Sequence, residues 1–229
     1  MRVLIVSAGG ELGQAIALGL DFDHQLRLAD GPELPGEDLQ AILQDMDAVV
    51  HTGEPPAAMA QSPNALLDWY TRGTYDLMAA AVAEGVRRFV YCSTLDLFGT
   101  YPSDVHISEL HEPFPPAQSQ SLLRYLAELT VREFTRDHAI TATALRLGTL
   151  VDADAPTSAT VKNSAIDPRD AASAVRAALN RNDSDSLNWV RRWGIYHVCA
   201  DHPNPRFLID RARALGFKPQ HRFASPKVV

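Results

Sequence analysis

The chain has 229 residues, a formal charge of −7, and 46% hydrophobic against 21% charged residues. That length carries one well-buried α/β core and is short for two, and the composition is that of a folded chain, not a disordered one. The acidic balance, with basic residues scattered and not striped, argues against nucleic-acid or membrane partners and for small molecules, and without an apolar run of roughly 20 residues a cytoplasmic protein is expected.

The apolar run "MRVLIV" predicts a strand over 2–6, and the glycine cluster of "VSAGGELGQAI" leads into a helix over 11–20. A strand follows over 24–30 ("HQLRLAD"), then turn material over 31–38, a short helix in "LQAILQDM" and a buried strand over 47–53 ("DAVVHTG"). Residues 64–86 read as one long helix closed by Gly85, and "RRFVYCST" as the next strand. Pro102, Pro113, Pro115 and Pro116 mark 99–119 as a long loop, of a length that tends to carry function. A second long helix is expected over 121–138, a strand over 141–151, a helix over 167–179, a strand at "IYHVCA" and a final helix over 205–217. Strands alternating with helices throughout predict a doubly wound parallel sheet. This makes one Rossmann-like α/β domain over 1–229, in which 152–166 and 180–229 add a small substrate-side region. Cys92 and Cys199, the only cysteines, sit in strand-like runs as small hydrophobes, with no second Cys or His at ligand spacing, so no metal site is expected.

A glycine-rich turn between a first strand and a first helix lets backbone N–H groups and the helix N-terminus approach a pyrophosphate. Gly10 and Gly13 are placed for that, and the strand "LRLAD" ends in Asp30, 17 positions beyond Gly13. A carboxylate there accepts from both ribose hydroxyls and repels a 2′-phosphate, which favours NAD over NADP. The same pattern also fits a turn that only packs helix against strand, with a solvated Asp.

Together these segments resemble the extended short-chain dehydrogenases, also called NAD-dependent epimerase/dehydratases. "VSAGGELG" is similar to their T-G-x-x-G-x-I/L-G, "DAVVHTGE" to D-x-V-I/V-H-x-A-A/G, and "RGTYDLMAAAVAEGVRRFVYCST" to the helix and strand that follow, with "LRLG" and "DPRDAASAVRAAL" matching later segments. "LRLAD", "VVHTGE" and "LGFKP" look most similar to the uronate dehydrogenases. The resemblance implies NAD as cofactor, held by Ser7, Gly10, Glu11, Leu12 and Gly13 on the turn, by Asp30 at the ribose and by Gly53. It also implies an oxidoreductase or epimerase of a small sugar-like substrate, and a homodimer through helices 64–83 and 121–137. Two departures are visible. Ser7 stands at the first glycine of the turn, where a positive φ costs a non-glycine residue about 1 kcal/mol. The third strand, whose Asp-Leu end flanks adenine in relatives, survives at best as Asp38 and Leu39.

The family's substrate-bonding hydroxyl maps to Thr94, beside Ser93; either residue equally suits a strand end that bonds its own backbone. The Tyr-x-x-x-Lys-x-x-x-Glu of relatives aligns with Gln120, Arg124 and Glu128. An amide has no proton to give or take near neutral pH and a guanidinium keeps its charge, so the acid-base pair is not reproduced, although Arg124 still suits a ribose or an anion. The three lysines, Lys162, Lys218 and Lys227, lie far from this helix in sequence. Tyr101, His106 and His111, in the long loop, are candidate replacements, with Asp96 and Asp104 beside them; Tyr125 points away from the Gln120/Arg124 face, and His51 reads as a core histidine. The short polar loop between "LRLG" and "DPRD" leaves little room for a nucleotide-sugar lid. Three functions stay open: an NAD-dependent enzyme with a non-standard acid or base, a catalytically inactive dinucleotide-binding sensor or scaffold, and a fold whose cofactor site is vestigial.

Overall fold

The computed structural model describes residues 1–30, 39–117, 119–155 and 164–223. Asp38 lies outside the described residues. The elements run β1 (Arg2–Val6), α1 (Glu11–Leu20), β2 (Gln25–Ala29), α2 (Leu39–Leu43), β3 (Ala48–His51), α3 (Pro63–Asp68), α4 (Thr74–Ala83) and β4 (Arg88–Thr94). They continue with α5 (Gln120–Asp137), β5 (Thr141–Leu147), β6 (Thr149–Leu150), β7 (Ala165–Ile166), α6 (Pro168–Leu179), α7 (Trp189–Arg192), β8 (Trp193–Val198) and α8 (Asp210–Leu215).

Six strands form one parallel sheet in the order β2-β1-β3-β4-β5-β8, so the doubly wound sheet expected from the sequence is present. Strand residues alternate between two cores, as the period of two requires. Val3, Ile5, Val50, Val90, Cys92 and Leu145 face α1 and α6, while Leu4, Val6, Val49, Phe89, Tyr91 and Ala142 face α2, α4 and α5. Each fully buried aliphatic side chain contributes about 1.5–3 kcal/mol, so these two layers carry most of the fold's stability. Small residues let α1 and α6 cross closely: a Cβ on Gly19 would lie 2.9 Å from the Ala172 Cβ. Asp167 caps α6 by accepting from the Arg169 N–H at 2.9 Å. On the opposite face Arg27 bonds the C-terminal carbonyls of α2, including Ile42 O at 2.8 Å.

Three sequence expectations need correction. The helix expected over 64–86 is interrupted by a π turn, Trp69–Gly73, which drives Trp69 and Tyr70 into the core. The strand over 141–151 breaks at Gly148, because the backbone of Ser164 passes so near that a Cβ would lie 1.6 Å from its carbonyl oxygen. The last helix is only Asp210–Leu215, since residues 205–209 run alongside the long loop, with Ile107 bridged to Phe207. Among the described residues β2 is the sheet edge, so no strand stands beyond it at the place where adenine is flanked in relatives. No helix of the described residues is long and apolar enough to cross a membrane.

Candidate functional site

In an open parallel sheet, ligands sit at the carboxyl ends of the strands where the strand order reverses. Here β1 has β2 on one side and β3 on the other, so the reversal lies between the turn after β1 and the loop after β3.

Ser7 takes φ +59° at the start of the turn and is buried, so the strained position expected of it is real. Gly13 is held for packing: a Cβ there would lie 2.6 Å from the Ser7 and Ala8 backbone. The Gly9 N–H donates to Asp30 Oδ1 at 2.6 Å, which fixes the turn to the end of β2. Gly10 is the N-cap of α1 and supplies no side-chain cap.

Across the crevice, Gly53 turns with φ +69°, and a Cβ on it would strike the Cys92 carbonyl at 2.3 Å. Its N–H donates to His51 Nδ1 at 3.0 Å. His51 is held neutral by burial and then by the Arg124 charge, which lower its pKa to about 3, so it is a core histidine and not an acid-base group. Burial likewise pushes the Cys92 thiol up to about 12, which makes it inert as a nucleophile. The turn at Gly53 projects Glu54 back over α1, so that a Cβ on Gly10 would lie 2.3 Å from Glu54 Oε2.

Tyr70 braces this loop from below. Its hydroxyl donates to Gly53 O at 2.9 Å and accepts from the Gln120 amide at 3.1 Å, while the Arg124 guanidinium lies over its ring at 5.9 Å. The position expected to carry the family tyrosine therefore carries an amide tied to a buried tyrosine from another element.

Two cavities meet here. One, of about 310 Å³, is lined by Leu12, Ser93, Thr94, Asp96, Gln120 and Arg124 among others. The other, of about 610 Å³, is lined by Ser7, Gly9, Gly10, Glu11, Asp30 and Pro55 among others. Glu54 and Arg124 line both. The Thr94 hydroxyl accepts from the Asp96 N–H at 3.1 Å, so it caps the turn that follows β4 and faces the first cavity as well. Ser93 is buried, with its Oγ unpartnered among the described residues. Burial raises the Glu54 carboxyl above its ordinary value, opposed by Arg124 and reinforced by Glu11.

The structure brings Ser7, Gly10, Glu11, Leu12, Asp30, Thr94, Gln120 and Arg124 to this crevice, with Gly53 turning the chain beside it, while Gly13 packs beneath the turn and lines neither cavity. Leu39 lies instead in the core with Ala29 and Val6 and lines neither cavity. The loop candidates are also engaged elsewhere. The Tyr101 hydroxyl donates to Glu112 O at 2.9 Å, His106 Nδ1 contacts Pro205 O at 2.6 Å, and His111 Nδ1 accepts from the Ser108 N–H at 3.1 Å. Tyr125 packs against the core. Glu128 is buried in an ion pair with Arg146, outside both cavities. No group of three metal-capable side chains occurs among the described residues. Sequence reasoning missed Glu54 and Tyr70; the only sequence signal for Glu54 was an acidic residue at the end of "VVHTGE".

The glycine turn, Asp30 and the two cavities that meet at Glu54 and Arg124 form one crevice at the carboxyl ends of the strands. A model of the NAD dependent epimerase/dehydratase family matches residues 21–166, a stretch that begins after the glycine turn. The uncharacterized protein YtbQ of Bacillus subtilis (strain 168) is 24% identical over 96% of this chain and 94% of its own length. Uronate dehydrogenase from Agrobacterium tumefaciens superimposes with a TM-score of 0.77 at 20% identity, over 96% of this chain and 84% of that one. UDP-glucuronic acid 4-epimerase from Bacillus cereus, solved with UDP-glucuronic acid and NAD, gives 0.76 at 13% identity, over 97% and 95%. At these identities the structural likeness is one of fold.

Proposed function

The chain belongs to the NAD dependent epimerase/dehydratase family, and from that premise we propose that it binds NAD across the glycine turn and acts as an oxidoreductase-like protein on a small sugar-like ligand. The observation that carries this reading is the convergence of Thr94, Gln120 and Arg124 on one cavity next to the glycine turn. At about 310 Å³ that cavity is at the low end of ligand pockets, roughly 300–1,000 Å³, which favours a monosaccharide over a nucleotide-linked sugar.

Bound NAD supplies hydride exchange with an alcohol or carbonyl carbon. The Thr94 hydroxyl, which already accepts from the Asp96 N–H, directs its own proton to the substrate oxygen. Arg124 holds a ribose hydroxyl or an anionic substrate group without titrating. Gln120 orients but moves no proton. A positioned acid-base group contributes about 10²–10⁴-fold, so proton transfer here is slow and falls to Asp96, an exposed carboxylate lining the same cavity. We assign the protein to the cytoplasm, where its free, buried thiols stay reduced, and to a homodimer through α3, α4 and α5.

The test is NAD reduction over a panel of uronates and simple sugars. It compares the natural protein, Asp96→Asn, and the double change Gln120→Tyr with Arg124→Lys. Turnover by the natural protein that is lost in Asp96→Asn supports the assignment. Turnover in the double change alone identifies an intact site that lacks its acid. Silence in all three with NAD bound favours the sensor or scaffold role.

A further inference from the structure

Glu54 leaves β3 on the far side of the crevice, yet its carboxylate lies on the first turn of α1. The space that Gly10 keeps free of a Cβ is the space a phosphate oxygen takes at a helix N-terminus. Glu54 Oε2 stands in it, 2.3 Å from where that Cβ would be. It is also one of two residues shared by the cavities on either side, so a dinucleotide that runs from Asp30 to Thr94 has to cross it.

We infer that the Glu54 carboxylate occupies the pyrophosphate seat of the glycine turn, so that this one residue limits dinucleotide affinity and NAD binds as the side chain is displaced or protonated. The inference rests on the NAD reading above.

The seat favours an anion, because α1 presents its positive end there. The occupant is nevertheless poorly held: Oε2 is buried with no hydrogen-bond partner among the described residues. A phosphate at the positive end of α1 would be the better guest once Glu54 is gone. The groups that act on Glu54 or line its two cavities are mixed in charge. Glu11 on α1, Asp30 at the end of β2 and Asp96 after β4 are acidic, the Cys92 thiol on β4 is neutral, and Arg124 on α5 is the one cation among these residues. Adding a pyrophosphate to this set while Glu54 is ionised places like charges within a few ångströms. Binding therefore tightens as the carboxyl takes a proton, and the raised pKa brings that step closer to neutrality.

The experiment is calorimetric titration of the whole chain with NAD between pH 5.5 and 8, for the natural protein, Glu54→Gln and Glu54→Ala. Melting temperature checks that each variant folds. Both variants are expected to bind at least about tenfold more tightly at pH 8, and to tighten less with falling pH than the natural protein is expected to. Equal or weaker binding in both variants overturns the inference and leaves the NAD reading standing. Absence of binding in all three overturns both.

Discussion

The Gly9 amide donates to the Asp30 carboxylate at 2.6 Å, joining the turn after β1 to the end of β2. That bond holds a negative charge on the lining of the larger cavity, where the NAD proposed above would set its adenosine ribose. NAD is therefore expected to bind at least about tenfold more tightly than NADP, whose 2′-phosphate meets the carboxylate at close range. Asp30→Ala is expected to narrow the difference by weakening NAD and relieving NADP. Titration with both dinucleotides checks this; equal affinities for the natural protein remove Asp30 from the role.

Stability is expected to fall as pH drops below about 6.5. Burial first, and neighbouring arginine charge second, lower both His51 and His197 to about 3 in the folded chain. The unfolded chain binds protons at these sites from about pH 6.5 downward while the folded chain does not, so each histidine lowers stability progressively as pH falls toward its folded value. Asp167, held low against burial by Arg169 and the backbone N–H groups of Ala153 and Arg169, adds a loss that begins only below its ordinary value of 3.8. Urea midpoints from pH 8 to 4 are the measurement, and His197→Leu should flatten the limb above pH 4.

Glu128 and Arg146 form an ion pair with both side chains 2% exposed, at 2.5 and 3.1 Å. Arg146 Nη1 has no partner among the described residues, so this pair is already incompletely satisfied. Glu128→Gln strands the guanidinium beneath Phe98 and is expected to cost about 3–5 kcal/mol. Replacing both partners together, Glu128→Leu with Arg146→Met, should recover most of that loss in denaturant unfolding. A single change below about 1 kcal/mol would show that the pair is not buried in solution.

The outer face of α3, α4 and α5 leaves Leu67 and Tyr75 exposed by 45% and 56%, with Tyr75 packed edge-on to Phe134 at 5.3 Å. Light scattering at micromolar concentration is expected to give twice the chain mass, and Tyr75→Asp to give the single chain. A monomer from the natural protein would return these residues to ordinary surface.

The features legible in the sequence were those written locally. A buried parallel strand followed by glycines and an amphipathic helix fixes the turn, and Ser7 keeps its left-handed backbone even without being glycine. Asp30 could be placed because it ends the next strand. Glu54 could not, because its position depends on where β3 releases the chain relative to α1, a tertiary fact that leaves no periodic trace. Tyr70 was hidden by a different cause: a π turn shifts the helical phase by one residue, so a face read at 3.6 residues per turn is wrong from Trp69 onward. His106 and His111 looked free in sequence because backbone partners such as Pro205 and Ser108 cannot be seen there. Gly148 marks a close approach to Ser164 across the end of β5, which no local propensity announces.

The order β2-β1-β3-β4-β5-β8 divides the labour of the chain between the two ends of one sheet. Glu54 and Thr94 sit at the carboxyl ends of β3 and β4 and share a cavity with Gln120 and Arg124 of α5, whereas the turn at 21–24, with Phe22 exposed by 92%, lies at the amino end, a five-residue strand or about 17 Å away. The second end is correspondingly free: a reporter or fusion partner inserted at Phe22 should leave whatever the crevice does untouched, which makes it the place from which to watch the protein at work.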